Sequence, residues 1–102
     1  MVYIRFEWDE AKNLTNRRKH GVRFELAALV FLDPLFVSLK DRIEDGEQRW
    51  RTFGKVEGWT LLVVVHTARE VDEQGEAFEV MRIISARQAS RRERQLYEEE
   101  NG

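Results

Sequence analysis

Trp59-Thr60-Leu61-Leu62-Val63-Val64-Val65-His66-Thr67-Ala68-Arg69 is the stretch on which the fold turns. Its five consecutive aliphatic residues, 61–65, offer apolar side chains to both faces of an extended backbone, so the segment reads as the central strand of a sheet. Working outward, Glu57-Gly58 reads as a hairpin turn. Before it, residues 48–56 alternate, with Arg49 and Arg51 on the face opposite Trp50 and Thr52. After it, residues 71–77 read as a charged loop and residues 78–86 as a returning strand. Residues 36–39 make a short strand, followed by a turn or loop over 41–46. Residues 2–8 alternate loosely, Tyr3 and Arg5 against Ile4 and Phe6, and form a first strand.

Three helices fill the remaining segments. Asp9 stands where an N-cap belongs, Lys19 and His20 fall in the last turn, and Gly21 suits the left-handed residue that ends a helix over 11–20. Phe24, Ala27, Ala28 and Phe31 recur at helical spacing and predict a second helix over 24–31, which Asp33-Pro34 terminates. Arg23 gives that helix no capping side chain. Ser90-Arg91-Arg92-Glu93 matches a capping box and starts a third helix over about 91–99, with Leu96 as its apolar anchor. The expected order is β-α-α-β-β-β-β-α. Hairpin connections imply an antiparallel sheet with the helices gathered on one face, an α+β fold.

The chain has 102 residues and reads as one domain over its whole length. Charged residues are 35%, too many for so small an interior, so most of them are solvated or paired. Seventeen Lys and Arg against 19 Asp and Glu leave a net charge of −2, which argues against a protein that coats nucleic acid without specificity. A local basic face remains compatible with that total. The absence of cysteine removes disulfides, thiolate catalysis and Cys-based zinc sites, and fits a cytoplasmic location. The N-terminus is too charged for a signal peptide, and the longest apolar run is far shorter than a membrane span.

Phe6-Glu7-Trp8-Asp9-Glu10-Ala11-Lys12-Asn13, then Asn16, Lys19-His20-Gly21-Val22 and Phe24-Glu25, form a signature that resembles the BrnT family. Residues 28–34, Glu47 with Arg49-Trp50, Gly54, Thr67 with Arg69, residues 82–87, Glu93-Arg94 and Tyr97 continue it in order, so the resemblance covers nearly the whole chain. Arg23, before the Phe-Glu pair, and the acidic Glu98-Glu99-Glu100 tail depart from it. The resemblance implies a RelE-like fold and metal-independent cleavage of RNA that inhibits translation. It also implies a BrnA-like antitoxin with a ribbon-helix-helix part, in a heterotetramer that touches DNA only through the antitoxin. No cofactor is implied.

RNA can be cut without metal when its own 2′-OH attacks the neighbouring phosphate. The protein then supplies a base, cations for the phosphorane and an acid for the leaving oxygen. Arg49, Arg69, Arg82 and Arg87 sit on expected strands or their ends, and a guanidinium fork matches two phosphate oxygens. The plainer reading pairs them with Glu47, Glu79 or Asp72. Glu47 is the acidic candidate, because two residues from Arg49 on an extended chain it faces the same way. His20 is a further catalytic candidate, although its place at a helix end also suits a dipole role. Lys19, Trp50, His66 and Arg91 are the expected RNA contacts, through charge or stacking. By alternation His66 faces away from Thr67 and Arg69. The two histidines give no metal-ligand spacing. Two non-enzymatic readings stay open: a module that binds an acidic partner segment, and a subunit that positions a DNA-binding partner. The mechanism needs the guanidinium groups on one wall of the sheet, with donors free for a phosphate.

Overall fold

The computed structural model describes residues 3–102. Its elements run β1 (Tyr3–Glu7), α1 (Glu10–His20), α2 (Phe24–Ala27), a 3₁₀ helix (Ala28–Leu32), β2 (Val37–Glu44), β3 (Glu47–Val56), β4 (Thr60–Glu73), β5 (Glu76–Gln88) and α3 (Arg91–Asn101). Val2, expected in the first strand, lies outside the described residues. The strands form one five-stranded sheet in the order β1-β5-β4-β3-β2, with the apolar run of β4 at its centre.

Three expectations about this sheet are corrected. It is mixed, not antiparallel: β2 to β5 pair antiparallel, but β1 runs parallel to β5, from Tyr3 opposite Phe78 to Glu7 opposite Arg82. A chain that leaves β1 through helices is released from hairpin geometry and can return in either direction. Residues 41–44 extend β2 past a bulge between Lys40 and Ile43, so the turn is only Asp45-Gly46, with φ of 53° and 75°. Likewise residues 71–77 are no loop but the tip of the β4–β5 hairpin, closed by Gln74-Gly75 at φ 54° and 81°. Positive φ at both central residues is what a tight hairpin turn requires. These hairpin ends stand in water on both faces, so their sequence lacks the apolar alternation that marks a strand.

Helices cover both faces of the sheet, not one. On the first face, Phe24, Ala27 and Val30 pack against Leu62, Val64, Ile83 and Ala86. On the second, Tyr97 of α3 packs with Phe53, Leu61 and Val63. Alternation along β4 explains this: even residues 62 and 64 face one way and odd residues 61 and 63 the other, so each face needs its own cover. Tyr97, 3% exposed, anchors α3, while Leu96 is only partly buried. The class remains α+β with three α-helices.

The second expected helix breaks into α2 and the 3₁₀ helix. Arg23 supplies no side-chain cap, and the first amide of α2, that of Phe24, is held instead from α1 by Asn13 Oδ1 at 2.8 Å. The tighter 3₁₀ turn lays Val30 directly on Gly54 of β3, where a Cβ would stand 2.7 Å from Val30 Cγ1 and 2.8 Å from its carbonyl oxygen. The other caps form as their chemistry dictates. Asp9 accepts from the amides of Ala11 and Lys12, Gly21 adopts φ 73°, and Ser90 with Glu93 completes a capping box.

Helix α1 has little apolar surface and is held by amides. Its buried residues are Asn13 and Asn16. Asn13 accepts from the Phe24 amide and donates to Glu25. Asn16 donates to the carbonyls of Val22 and Ala86 and accepts from the Ala86 amide. Both side-chain amides are hydrogen-bonded, which offsets the cost of taking them out of water.

Candidate functional site

The second face of the sheet, beyond the footprint of α3, is a wall of paired charges. Strand alternation and register bring Arg5 and Glu7 of β1, Glu47, Arg49 and Arg51 of β3, Arg69 of β4, and Arg82 and Arg87 of β5 to this face. Arg82 donates to Glu47 at 2.6 Å, reaching from β5 across β4 to β3. Arg69 grips Glu7 at 2.7 and 3.4 Å, reaching from β4 across β5 to β1. Arg5 grips Glu73 at 3.0 and 3.2 Å with its guanidinium 4.3 Å from the Phe78 ring. Arg49 lies 2.7 Å from Glu44. Arg87 makes a two-pronged contact with Glu93 of α3 at 2.7 and 2.9 Å, and Arg51 lies 3.6 Å from the same carboxylate.

All four arginines expected from sequence therefore share one wall with Glu47. The plainer pairing holds too: each is engaged by a carboxylate, although Arg82 alone takes one that sequence named, Glu47. The pairs differ in depth. Arg82 with Glu47 and Arg69 with Glu7 are each about two-fifths to half exposed, while Glu93 is only 11% exposed. Hydrogen bonding from Arg87 holds the Glu93 carboxyl far below the usual range, at about 2, and in turn raises Arg87. The same effect from Arg69 lowers the Glu7 carboxyl. Arg87 is thus committed to fastening α3, and the Glu7 carboxylate is a weakened base. Glu47 accepts through Oε1 only, and its Oε2 has no hydrogen-bond partner among the described residues.

Other sequence candidates lie elsewhere. His66 and Trp50 are opposite each other on the first face, behind the wall. The expected RNA contact by His66 is corrected: it is 3% exposed, bonded through Nε2 to Thr52 at 2.7 Å and through Nδ1 to the Thr67 carbonyl at 3.0 Å. The carbonyl can only accept, so Nδ1 carries the proton and Nε2 accepts from Thr52. Burial lowers its pKa and keeps the ring neutral. With Trp50, Phe31 and Phe36 it lines an apolar hollow of about 270 Å³. Trp50 therefore stacks on nothing bound at the wall. Lys19 and His20 are exposed at the end of α1, in a groove beside Ile84 and Ser85 of β5. Arg91 is exposed at the start of α3.

Sequence reading missed Arg5, Glu7 and Arg51. Arg51 was on the expected face and carried its own signal in the alternation. Glu7 and Arg5 were invisible because nothing in the sequence announced that β1 would lie beside β5. Among the described residues no group of three or more His, Cys, Asp or Glu is placed to hold a metal ion. Among them, no helix is long and apolar enough to cross a membrane.

Residues 8–93 match the family model described as the ribonuclease toxin BrnT of type II toxin-antitoxin systems. The chain belongs to the BrnT family. The solved structure of the Brucella abortus ribonuclease toxin BrnT is 27% identical in sequence and superposes with a TM-score of 0.53, covering 89% of this chain and 99% of that one. No curated relative matches the chain. As a BrnT member the chain is a type II toxin, and the type implies a protein antitoxin partner. The family match takes in Glu47, Arg49, Arg51, Arg69, Arg82, Arg87 and Glu93, while Arg5 and Glu7 precede it.

Proposed function

We propose that this BrnT chain is a RelE-like endoribonuclease that cleaves RNA without a metal, one domain carrying the whole activity. The observation that carries the reading is the pair of half-exposed bridges, Arg82–Glu47 and Arg69–Glu7, each spanning a strand of one wall. Exposed ion pairs are weak and open readily. A guanidinium also has five N–H donors, and Arg82 spends one on Glu47. Donors therefore remain for phosphate oxygens even with the carboxylate in place.

In this mechanism Glu47, through its free Oε2, takes the proton from the 2′-OH. The oxygen attacks the adjacent phosphorus, and Arg82, Arg69 and Arg49 neutralise the equatorial oxygens of the phosphorane. The leaving 5′ oxygen takes its proton from water. Arg87 acts by holding α3, while Lys19, His20 and Arg91, exposed at helix ends apart from the wall, contact flanking parts of the RNA. Cleavage in the cytoplasm inhibits translation. A BrnA-like antitoxin with a ribbon-helix-helix part covers the wall in a heterotetramer, and DNA is reached only through it.

The test is RNA cleavage in EDTA by wild type, Arg69→Ala, Arg82→Ala and Glu47→Gln. Wild type cleaves, each variant loses at least tenfold, and added antitoxin silences the wild type. Inactive wild-type protein removes the enzyme, and unchanged variants remove this site.

One observation favours a second reading, a binding module without catalysis. Arg5, Arg49, Arg51, Arg69, Arg82 and Arg87 each have a carboxylate within 4 Å. Under it, wild type binds the antitoxin but leaves RNA intact, and Arg69→Ala weakens the complex.

A further inference from the structure

Thr67 occupies the centre of the charged wall and has no partner for its hydroxyl. It is 1% exposed, and Oγ1 is buried without a hydrogen bond. The other fully buried threonine, Thr52, behaves differently: its hydroxyl is bonded to Ser38 and His66, each at 2.7 Å. On the wall face of β4 the residues preceding Thr67 are Leu61, Val63 and Val65, all apolar. Valine has the same shape as threonine and would bury there without cost, whereas an unbonded hydroxyl destabilises the fold.

The surroundings say what the hydroxyl awaits. Arg82 lies directly opposite Thr67 in β5. Its guanidinium crosses β4 to reach Glu47 on β3, so the ion pair closes over the strand at Thr67. Arg49 stands one residue beyond the Trp50–His66 pair on β3, as Thr67 does on β4. Arg49 Nε is buried and unbonded, and so is Arg51 Nε two residues along. One O–H and two N–H groups on one face thus lack acceptors, against a single buried acceptor without a hydrogen bond, Glu44 Oε2, which already lies 2.7 Å from Arg49. A surplus of donors selects a ligand rich in acceptors and poor in protons, which describes a tetrahedral oxyanion.

We propose that Thr67, with Arg49 and Arg82, forms an oxyanion subsite. Its hydroxyl donates to a nonbridging oxygen of the RNA phosphate once the Arg82–Glu47 pair parts. The phosphate identity rests on the nuclease reading above, while the anion subsite itself does not. Thr67 would then touch the reacting group, and the bridge over it is the lid that substrate displaces.

Thr67→Val and Thr67→Ser decide the matter through two measurements. In thermal melts without ligand, Thr67→Val unfolds at the wild-type temperature or a few degrees above it. Inorganic phosphate, or a 2′-deoxy oligonucleotide that cannot be cleaved, raises the melting temperature of wild type and Thr67→Ser. It raises that of Thr67→Val by less than half as much. In cleavage assays Thr67→Val loses roughly 10- to 100-fold in kcat/KM, the range for one hydrogen bond to a charged group, and Thr67→Ser recovers most of it. A Thr67→Val protein that melts well below wild type makes the hydroxyl a structural bond and overturns the proposal. So does a valine variant that keeps the full ligand-induced shift. If wild-type protein leaves RNA intact but phosphate still stabilises it through Thr67, the nuclease reading fails and the anion subsite stands.

Discussion

Replacing Asn16 with alanine should cost this protein much of its stability, although Asn16 lies outside the charged wall. Its amide makes three hydrogen bonds to main-chain groups: the carbonyls of Val22 and Ala86 at 2.9 and 2.8 Å, and the Ala86 amide at 3.1 Å. The residue is 6% exposed, and Ala86 is fully buried. Alanine leaves those backbone groups in the interior without the side chain that satisfied them. Each buried orphan costs about 1–3 kcal/mol, so the expected loss is about 3–5 kcal/mol after some relaxation. A domain of this size is stable by about 5–15 kcal/mol in total, which makes the variant marginal. Urea unfolding followed by circular dichroism reads the effect as a midpoint lowered by about 2–3 M at unchanged slope. Asn16→Asp sharpens the test. It swaps a donor facing two carbonyls for an acceptor, and at neutral pH it also buries a charge. The aspartate variant should be less stable than the alanine variant at pH 7 and recover toward it at pH 4, where protonation restores one donor. A loss under about 1 kcal/mol for Asn16→Ala, the net value of one ordinary hydrogen bond, refutes the claim that these amides fasten α1 to the sheet.

Gly54→Ala should destabilise by about 1–3 kcal/mol or more through overpacking, because the new methyl meets Val30 side chain and backbone together. Val30→Ala in the same background should recover part of the loss in the same melts. The Glu93 carboxyl has its folded pKa depressed to about 2, so the stability it lends is complete above about 4.5 and disappears as pH falls from there toward 2. Glu93→Gln should flatten the acid limb of the stability–pH curve, and an unchanged limb counts against the Arg87–Glu93 clasp. Tyr97 behaves oppositely. Its phenol, donating to Asp33 at 2.6 Å, is raised to about 12, so its contribution is intact below about pH 10 and lost between there and about pH 12. Ultraviolet titration should show one tyrosine ionising late, and Tyr97→Phe should remove that late step.

The core was legible because β4 is written in aliphatic residues that leave no alternative to a central strand. Caps were legible for a related reason: Asp9, Gly21 and Ser90 with Glu93 act within a few residues of themselves, and short-range chemistry can be read along a line. What escaped was long-range. The parallel seat of β1 depends on which edge remains open after the hairpins form, and the sequence near residue 5 contains no record of that. Two hairpin tips looked like loops because polar residues on a projecting ladder mimic a disordered charge run. At the site, alternation placed Glu47 and Arg49 on one face, but that Arg69 and Arg82 share it follows from the register between strands, which the sequence does not state. The carboxylates that pair with the arginines come from other strands and from α3, so only coordinates identify most of them. Thr67 was quoted only as part of a motif, because an unsatisfied hydroxyl is a property of packing.

Placing β1 against β5 also sets an order of events. Residues 3–7 emerge during synthesis well before residues 78–82, which make their seat. β1 therefore waits, unpaired, until β5 exists, and contacts of such high sequence separation form late and slowly. Glu7 cannot meet Arg69 before that moment. Until then the Arg69 guanidinium on the charged wall stands without its carboxylate, so the paired state of that wall is a property of the finished sheet.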